Sequence, residues 1–187
     1  MRYRVDLSRS SLIAQAFATG LLSAFGHNPR LAVRNFAGEA EFDPTTPHAA
    51  WTRMTAVADS LVVIDDVSEK DRREIERATR EELLEAARYP EIVFQSSAVT
   101  ARQAGEGRYN MKITGDLSLR GVTRKLTIDA MIKFEGNELR AQGGFPLRLT
   151  DFNIRPISVA GGLLKLKDEV QLSFDIMTHA SSAHGGI

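Results

Sequence analysis

The amino-acid sequence predicts an all-β fold with one inserted helix, in which long antiparallel strands form a barrel or a sandwich. Two observations carry this prediction. Apolar and polar residues alternate along several long runs, which is the period of a strand with one buried face. Short turn signals join most of these runs, and a single charge-rich segment near the middle has helical spacing instead.

Four strands are predicted before the helix, and the first of them is short. They cover residues 2–7, 11–19, 31–42 and 51–64. The sequence GHNP separates the second strand from the third, and DPTTP separates the third from the fourth. Both sequences combine residues that favour turns and interrupt strands.

One helix is predicted over residues 68–88. Ser68 is placed to cap it, with Asp71 in the capping-box position three residues later. Many Glu and Arg residues lie three or four positions apart, as on a solvated helix face that covers part of a sheet. The Tyr89-Pro90 pair is predicted to end the helix.

The clearest element after the helix is a hairpin centred on Arg120 and Gly121. Gly121 can adopt the positive φ that a two-residue turn requires. Two long neighbouring strands with a shared apolar face predict a wide antiparallel sheet. The apolar positions are Met111, Ile113, Gly115, Leu117 and Leu119 on the first strand, and Leu126, Ile128, Ala130, Ile132 and Phe134 on the second.

Further strands are predicted over residues 92–100, 139–149 and 168–177. Since residues 11–19 alternate only weakly, the predicted total is about eight. Residues 151–166 are predicted to be irregular. The predicted organisation is one domain over residues 1–178, followed by a disordered tail over residues 179–187. An eight-stranded barrel is the size at which side chains either fill the interior or leave room for one small ligand.

Composition excludes several classes of function. The chain has 187 residues, enough for one domain with a sizeable core. Its 24 basic residues balance 24 acidic residues, which argues against general nucleic-acid binding. The sequence contains no cysteine, so disulfides, thiolate nucleophiles and cysteine-ligated metals are excluded.

No apolar run approaches the roughly 18 residues of a membrane-spanning helix, so no transmembrane segment is predicted. Met1 leads directly into alternating residues and not into a basic and then apolar leader. This pattern predicts a cytoplasmic protein. The alternative is a mature secreted or periplasmic form whose signal peptide has been removed.

Two motifs resemble the YceI-like family, and the resemblance covers nearly the whole chain. Residues 115–124, GDLSLRGVTR, are similar to the family pattern GDLTIRGVTK, and residues 89–96, YPEIVFQS, are similar to YPxIxFxS. Weaker matches follow in the same order as in the family. They are Gly38 with Phe42-Asp43, Asp71, residues 151–154 and residues 168–172. The chain departs from the family in its GHNP loop and at Asn153, where the family more often has Gly.

This resemblance implies an antiparallel, lipocalin-like β-barrel. It also implies that the barrel binds a long amphipathic isoprenoid-like lipid, of the polyprenyl or quinone type, in its interior. The alternation of residues independently agrees with the architecture. The identity of the ligand comes only from the resemblance.

Eight apolar residues are predicted to share the buried face and to bind the ligand. The same positions suit a filled core equally well, and the two arrangements differ in total volume. Small residues on the predicted strands favour a tunnel; they are Ala14, Ala16, Ala18, Gly115, Ala130, Ala141 and Gly143. The eight predicted ligand-binding residues are Ile113, Leu117, Ile128, Ile132, Phe145, Leu147, Phe174 and Ile176.

Two polar residues are predicted at the mouth of the barrel. His27 lies in the GHNP loop, where it could form a hydrogen bond with the head group of the ligand. Arg155 could pair with a phosphate or another polar head group through its planar guanidinium. For each of them, an ordinary surface position is the alternative.

The sequence predicts no catalytic residue, no metal site and no cofactor. His27, His48, His179 and His184 are not spaced as converging ligands, and turn formation explains Asp65-Asp66. The predicted function is therefore non-enzymatic lipid binding or transport. Two alternatives stay open, namely a filled barrel that serves as a structural or interaction module, with a homodimer as one form, and an enzyme that uses the same cavity.

Overall fold

The computed structural model describes residues 1–19, 28–159 and 164–181. It consists mainly of strands with one α-helix, α1 (Glu69–Ala78). The strands are β1 (Arg2–Val5), β2 (Ser11–Gln15), β3 (Ala18–Thr19), β4 (Arg30–Val33), β5 (Phe36–Glu41), β6 (Trp51–Val57), β7 (Leu61–Val63), β8 (Glu91–Gly105), β9 (Arg108–Leu119), β10 (Val122–Glu135), β11 (Glu138–Arg148), β12 (Ser158–Val159), β13 (Leu164–Leu166) and β14 (Glu169–Ala180).

Eight of these strands close into an antiparallel barrel, as predicted. Their order is β1-β5-β6-β8-β9-β10-β11-β14, and β1 pairs back onto β14 with Tyr3 opposite Ala180. Closure leaves no free edge within the ring. The alternating apolar residues of β9 and β10 face inward, since Ile128, Ala130 and Ile132 are buried while the residues between them are exposed.

The barrel has two different ends. The hairpin end holds the turns that join β8 to β9 and β10 to β11, together with Phe42 at the end of β5. The helical end holds α1, the Arg120–Gly121 turn and a 3-10 turn, Leu149–Phe152. Separate groups of buried residues fill the two ends.

The first half of the chain differs from the prediction because its strands are broken. The predicted strands over residues 31–42 and 51–64 each split in two, into β4 and β5 and into β6 and β7. Ser60 lies at both breaks: its hydroxyl accepts from the Asn35 N–H at 3.1 Å and donates to the Val57 carbonyl at 2.7 Å, and its carbonyl accepts from the Arg34 N–H at 3.0 Å. These local bonds replace strand pairing at the break.

Beyond the breaks, β2, β4 and β7 extend the sheet past the barrel at its helical end. The edge of β7 is covered by α1. The Val63 N–H donates to the Glu76 carboxylate at 2.9 Å, and the Arg72 guanidinium donates to the Val63 and Asp65 carbonyls. The helix thus takes the position beside β7 that another strand would occupy, and it satisfies the backbone groups of that edge.

The helix begins as predicted and ends earlier. The Ser68 hydroxyl accepts from the Asp71 N–H at 3.1 Å, which confirms the cap. However, α1 continues as a π-helical turn, Thr79–Leu83, and Glu85 adopts a φ of 46°. That left-handed residue ends the helix before Pro90 can do so.

The predicted β9–β10 turn is present, and both of its central residues have positive φ. These angles are 50° at Arg120 and 72° at Gly121, as in a type I′ turn. A Cβ atom on Gly121 would also lie 2.7 Å from the ring of Tyr89. Gly121 therefore serves both the turn and the packing of Tyr89.

The last strand is longer than predicted. His179 and Ala180 belong to β14 and pair with β1, although the sequence places them in the tail. A second, three-stranded sheet has the order β12-β13-β3. Its strands β12 and β13 lie within the segment predicted to be irregular, whereas β3 lies within the strand predicted over residues 11–19. Among the described residues, no helix is both long and apolar enough to span a membrane.

Candidate functional site

The barrel encloses a cavity of about 330 Å³. Every strand of the closed ring contributes residues to its lining, as do the π-helical turn and the extension of β2, β4 and β7. On β14 the lining residues run from Val170 to Thr178, about 26 Å along the strand at about 3.3 Å per residue. The cavity is therefore long and narrow, and its volume lies within the range of about 300–1,000 Å³ typical of ligand pockets.

All eight apolar residues predicted to bind a ligand line this cavity. They occupy four consecutive strands of the ring, β9, β10, β11 and β14, and these are the longest runs of alternating residues in the sequence. The residues are Ile113, Leu117, Ile128, Ile132, Phe145, Leu147, Phe174 and Ile176. Their contact with a ligand stays a prediction.

The small residues act in two different ways. Ala14, Ala16, Ala130 and Ala141 line the cavity, in line with the prediction that they widen it. Gly115 and Gly143 do not open space, because aromatic rings lie on them. A Cβ atom would be 2.6 Å from Phe94 Cζ at Gly115 and 2.7 Å from Phe174 Cζ at Gly143. Ala18 lies in β3 and is not among the described lining residues.

Aromatic residues close the hairpin end. Phe42 is only 4% exposed and lines the cavity. The Tyr109 ring meets Phe42 edge to face with centroids 5.3 Å apart, and the Phe134 ring lies at 5.8 Å. Neither of these two rings lines the cavity. Tyr3 belongs to the same buried cluster, and burial followed by the charge of Asp43 raises the pKa of its phenol.

Leucine residues close the helical end. Four leucines line the cavity here: Leu83 at the end of the π-helical turn, Leu84 directly after it, Leu119 at the end of β9 and Leu149 in the 3-10 turn. The π-helical turn places both neighbouring leucines against the cavity at the point where α1 ends. Apolar side chains therefore cover this end as well.

A clamp centred on Arg120 holds the segments that carry these leucines. Its guanidinium donates to the Glu85 carboxylate and to the Asn153 carbonyl, the latter at 3.0 Å. Glu85, Arg120 and Asn153 are the non-glycine residues with positive φ in the described part of the chain. They directly follow Leu84, Leu119 and Phe152.

Sequence reasoning did not find this clamp. One signal was available, because Asn and Gly are the residues that best tolerate the left-handed conformation. The φ of 58° at Asn153 is one that both Asn and Gly tolerate. Nothing in the sequence near Glu85 indicated its conformation.

The basic side chains of the protein lie away from the cavity. All 24 Lys and Arg residues fall within the described ranges, and none of them lines it. They are exposed except Arg72 and Arg120, whose guanidiniums are bonded as described above. Glu39 and Glu41 of β5 adjoin the cavity, but the Glu41 carboxylate is exposed and pairs with Arg2 at 2.7 Å.

The two predicted mouth residues have different outcomes. Arg155 is exposed and does not line the cavity, so a role with a head group stays a prediction. His27 lies outside the described residues, as does His184. Within residues 1–19, 28–159 and 164–181, no three His, Cys, Asp or Glu side chains gather as a metal site requires.

Comparison with known sequences matches residues 3–178 to the model of the YceI-like domain. The UPF0312 protein of Enterobacter sp. strain 638 is 32% identical over 127 residues, which cover 65% of this chain and 60% of that protein. Protein YceI of Escherichia coli strain UMN026 is 29% identical over 130 residues, which cover 65% of this chain and 61% of that protein. The chain thus spans about three fifths of the length of these curated relatives.

Solved structures share the fold. BcnA of Burkholderia cenocepacia superposes with a TM-score of 0.69 at 23% identity, covering 92% of this chain and 98% of that one. A polyisoprenoid-binding domain from Saccharophagus degradans superposes with a TM-score of 0.68 at 12% identity, covering 96% and 98%. At these identities the likeness concerns the architecture of the barrel.

Proposed function

This chain belongs to the YceI-like family, and from that premise we propose that it binds a long isoprenoid-like lipid inside its barrel without catalysing a reaction. The observation that carries the proposal is the apolar cavity inside the barrel, whose lining includes Phe42 at the hairpin end and Leu84 at the helical end. A structural neighbour is a polyisoprenoid-binding domain, and its likeness supports the same class of ligand.

The shape of the cavity favours a linear chain over a compact ligand. Burial supplies the affinity, because each CH₂ group removed from water contributes about 0.8 kcal/mol. The hydroxyls of Thr52 and Thr178 offer little to a ligand, since each donates to a backbone carbonyl, at 3.1 Å to Glu39 and at 3.2 Å to Leu139. Thr55 and Thr79 also line the cavity, but most of the lining side chains are apolar, so the proposed binding depends mainly on hydrocarbon contact along the chain.

The apolar lining also favours an uncharged head group. An isolated phosphate or carboxylate moved into such an interior loses its hydration, and among the described residues no lysine or arginine lines the cavity to replace it. A polyprenol or a quinone suits the cavity better than a polyprenyl phosphate whose phosphate is enclosed.

Purification without detergent, followed by native mass spectrometry and lipid extraction, tests the proposal directly. We expect a stoichiometric polyprenol-like or quinone-like lipid, or uptake of added geranylgeraniol by the empty protein. An empty protein that also fails to take up added isoprenoids would contradict the proposal and favour the interaction module.

Substitution of the lining tests the location of the site. We expect Ile128→Arg to abolish displacement of the neutral probe N-phenyl-naphthylamine by geranylgeraniol, because it places a charge where the chain would lie. Met131→Arg is the matched control, since Met131 lies on the same strand and is 51% exposed. Retained binding in a folded Ile128→Arg variant would contradict this location of the site; circular dichroism monitors folding.

A further inference from the structure

We infer that Phe42 is the specificity-determining residue that limits the length of the chain which the cavity accepts. This inference rests on the proposed function and adds a property of the same site. It follows from where the cavity stops, what lies behind that point and how firmly the ring is held.

The cavity stops at Phe42 toward the hairpin end. Phe42 lines it, whereas Tyr109 and Phe134, whose rings pack against Phe42, do not. The three rings thus form two layers, with Phe42 facing the cavity and the other two behind it. A linear ligand that fills the cavity from the helical end would place its last carbon atoms against the Phe42 ring.

The backbone on both sides of Phe42 is fixed by hydrogen bonds. The Phe42 N–H donates to the Met1 carbonyl at 3.0 Å. In the turn that follows, the Asp43 carboxylate accepts from the Thr45 N–H at 2.8 Å and from its hydroxyl at 2.7 Å. The Asp43 carbonyl also accepts from the Thr46 N–H at 3.0 Å.

The side chain of Phe42 is held as firmly as its backbone. The ring is 4% exposed and lies against two other rings, so a change of rotamer would require the whole cluster to move. The ring therefore acts as a fixed stop, and a chain one isoprene unit too long would leave that unit outside the apolar interior.

A polyprenol series tests this inference. The affinities of farnesol, geranylgeraniol and successively longer all-trans polyprenols are measured by displacement of N-phenyl-naphthylamine. The variants are Phe42→Ala and the more conservative Phe42→Leu, which keeps an apolar side chain if the alanine variant does not fold. Phe134→Ala is the matched control, because it removes a ring from the same cluster that does not line the cavity.

We expect the affinity of the native protein to rise with chain length up to a limit and then to stop rising. Both Phe42 variants should move that limit to a longer polyprenol, with at least tenfold tighter binding of the first chain beyond the native limit. Phe134→Ala should keep the native limit.

An unchanged limit in folded Phe42→Leu would overturn the inference. An equal shift in Phe134→Ala would overturn it as well, because loosening of the cluster would then explain the result. Failure of the native protein to bind any polyprenol would instead refute the proposed function, so the two failures are distinguishable.

Discussion

The ring of Phe174 packs directly against Gly143. A Cβ atom at this position would lie 2.7 Å from Phe174 Cζ and 2.4 Å from the carbonyl oxygen of Asp129. The absence of a side chain at Gly143 on β11 thus leaves room for the Phe174 ring of β14, which lines the cavity. At this scale, a glycine on one strand determines where the ring of another strand projects.

We therefore expect Gly143→Ala to destabilise the protein by about 1–3 kcal/mol, the usual cost of overpacking a tight contact. The displaced Phe174 ring should also enter the cavity and weaken geranylgeraniol binding. Urea unfolding measures the first effect and probe displacement the second. A double-mutant cycle with Phe174→Leu supplies the control, since removal of the ring should recover part of the loss. If the destabilisations caused by Gly143→Ala and Phe174→Leu were strictly additive, the contact between Gly143 and the Phe174 ring would not explain the loss of stability.

The elements that cover the helical end come from three distant parts of the chain. The π-helical turn, the β9–β10 turn and the 3-10 turn Leu149–Phe152 each carry a leucine that lines the cavity. The clamp of Arg120, Glu85 and Asn153 joins them, although Arg120 lies 35 residues from Glu85 and 33 from Asn153. Because the Arg120 and Glu85 side chains are only 20% and 32% exposed, this ion pair is better shielded from water than most pairs at the surface.

Removal of the guanidinium should loosen this cover. We expect Arg120→Ala to destabilise the protein by about 1–3 kcal/mol, because it removes the hydrogen bond to the Glu85 carboxylate and leaves that group only a 3.9 Å ion pair with the more exposed Arg88. Amide hydrogen exchange should accelerate over residues 79–88. Arg120→Gly separates loss of the clamp from backbone strain. Glycine tolerates the φ of 50°, so this variant removes the guanidinium without straining the backbone. If Arg120→Gly restored native exchange, backbone strain and not the clamp would be the explanation.

For the whole molecule, one feature of the sequence, the alternation of apolar and polar residues, predicts both the closed barrel and the lining of its cavity. A strand with one buried face shows a period of two, and in β9, β10, β11 and β14 that face is the wall of the cavity. The breaks in the first strands escaped prediction because they are stabilised by hydrogen bonds between distant segments, such as those that join Asn35 to Ser60 and Val57. The clamp escaped because its partners meet only in the folded chain. Whether the barrel is hollow depends on side-chain volumes summed over all strands, which a local pattern does not contain.

The charges of the folded molecule predict its response to acid. Folding lowers the pKa of four aspartates, chiefly through hydrogen bonds that their carboxylates accept; they are Asp6, Asp43, Asp168 and Asp175. The largest cause of the lowered pKa is the Thr150 N–H, at 2.8 Å, for Asp168. For Asp175 it is the hydrogen bond from Arg140. A carboxyl whose folded pKa is depressed binds its proton more readily in the unfolded state. The contribution of such a carboxyl to the free energy of unfolding is complete above its ordinary pKa of about 4. This contribution is lost as the pH falls through the lower pKa of the folded state.

We therefore expect the free energy of unfolding to fall steadily as the pH is lowered below about 5, where the unfolded chain begins to take up protons. Urea unfolding at a series of pH values between neutrality and strong acid measures this slope. Asp168→Asn should lower stability at neutral pH and make the acid slope shallower, because the variant no longer carries that titrating group. An acid slope as steep in Asp168→Asn as in the native protein would show that the bond between the start of β14 and the Leu149–Phe152 turn contributes nothing to acid sensitivity.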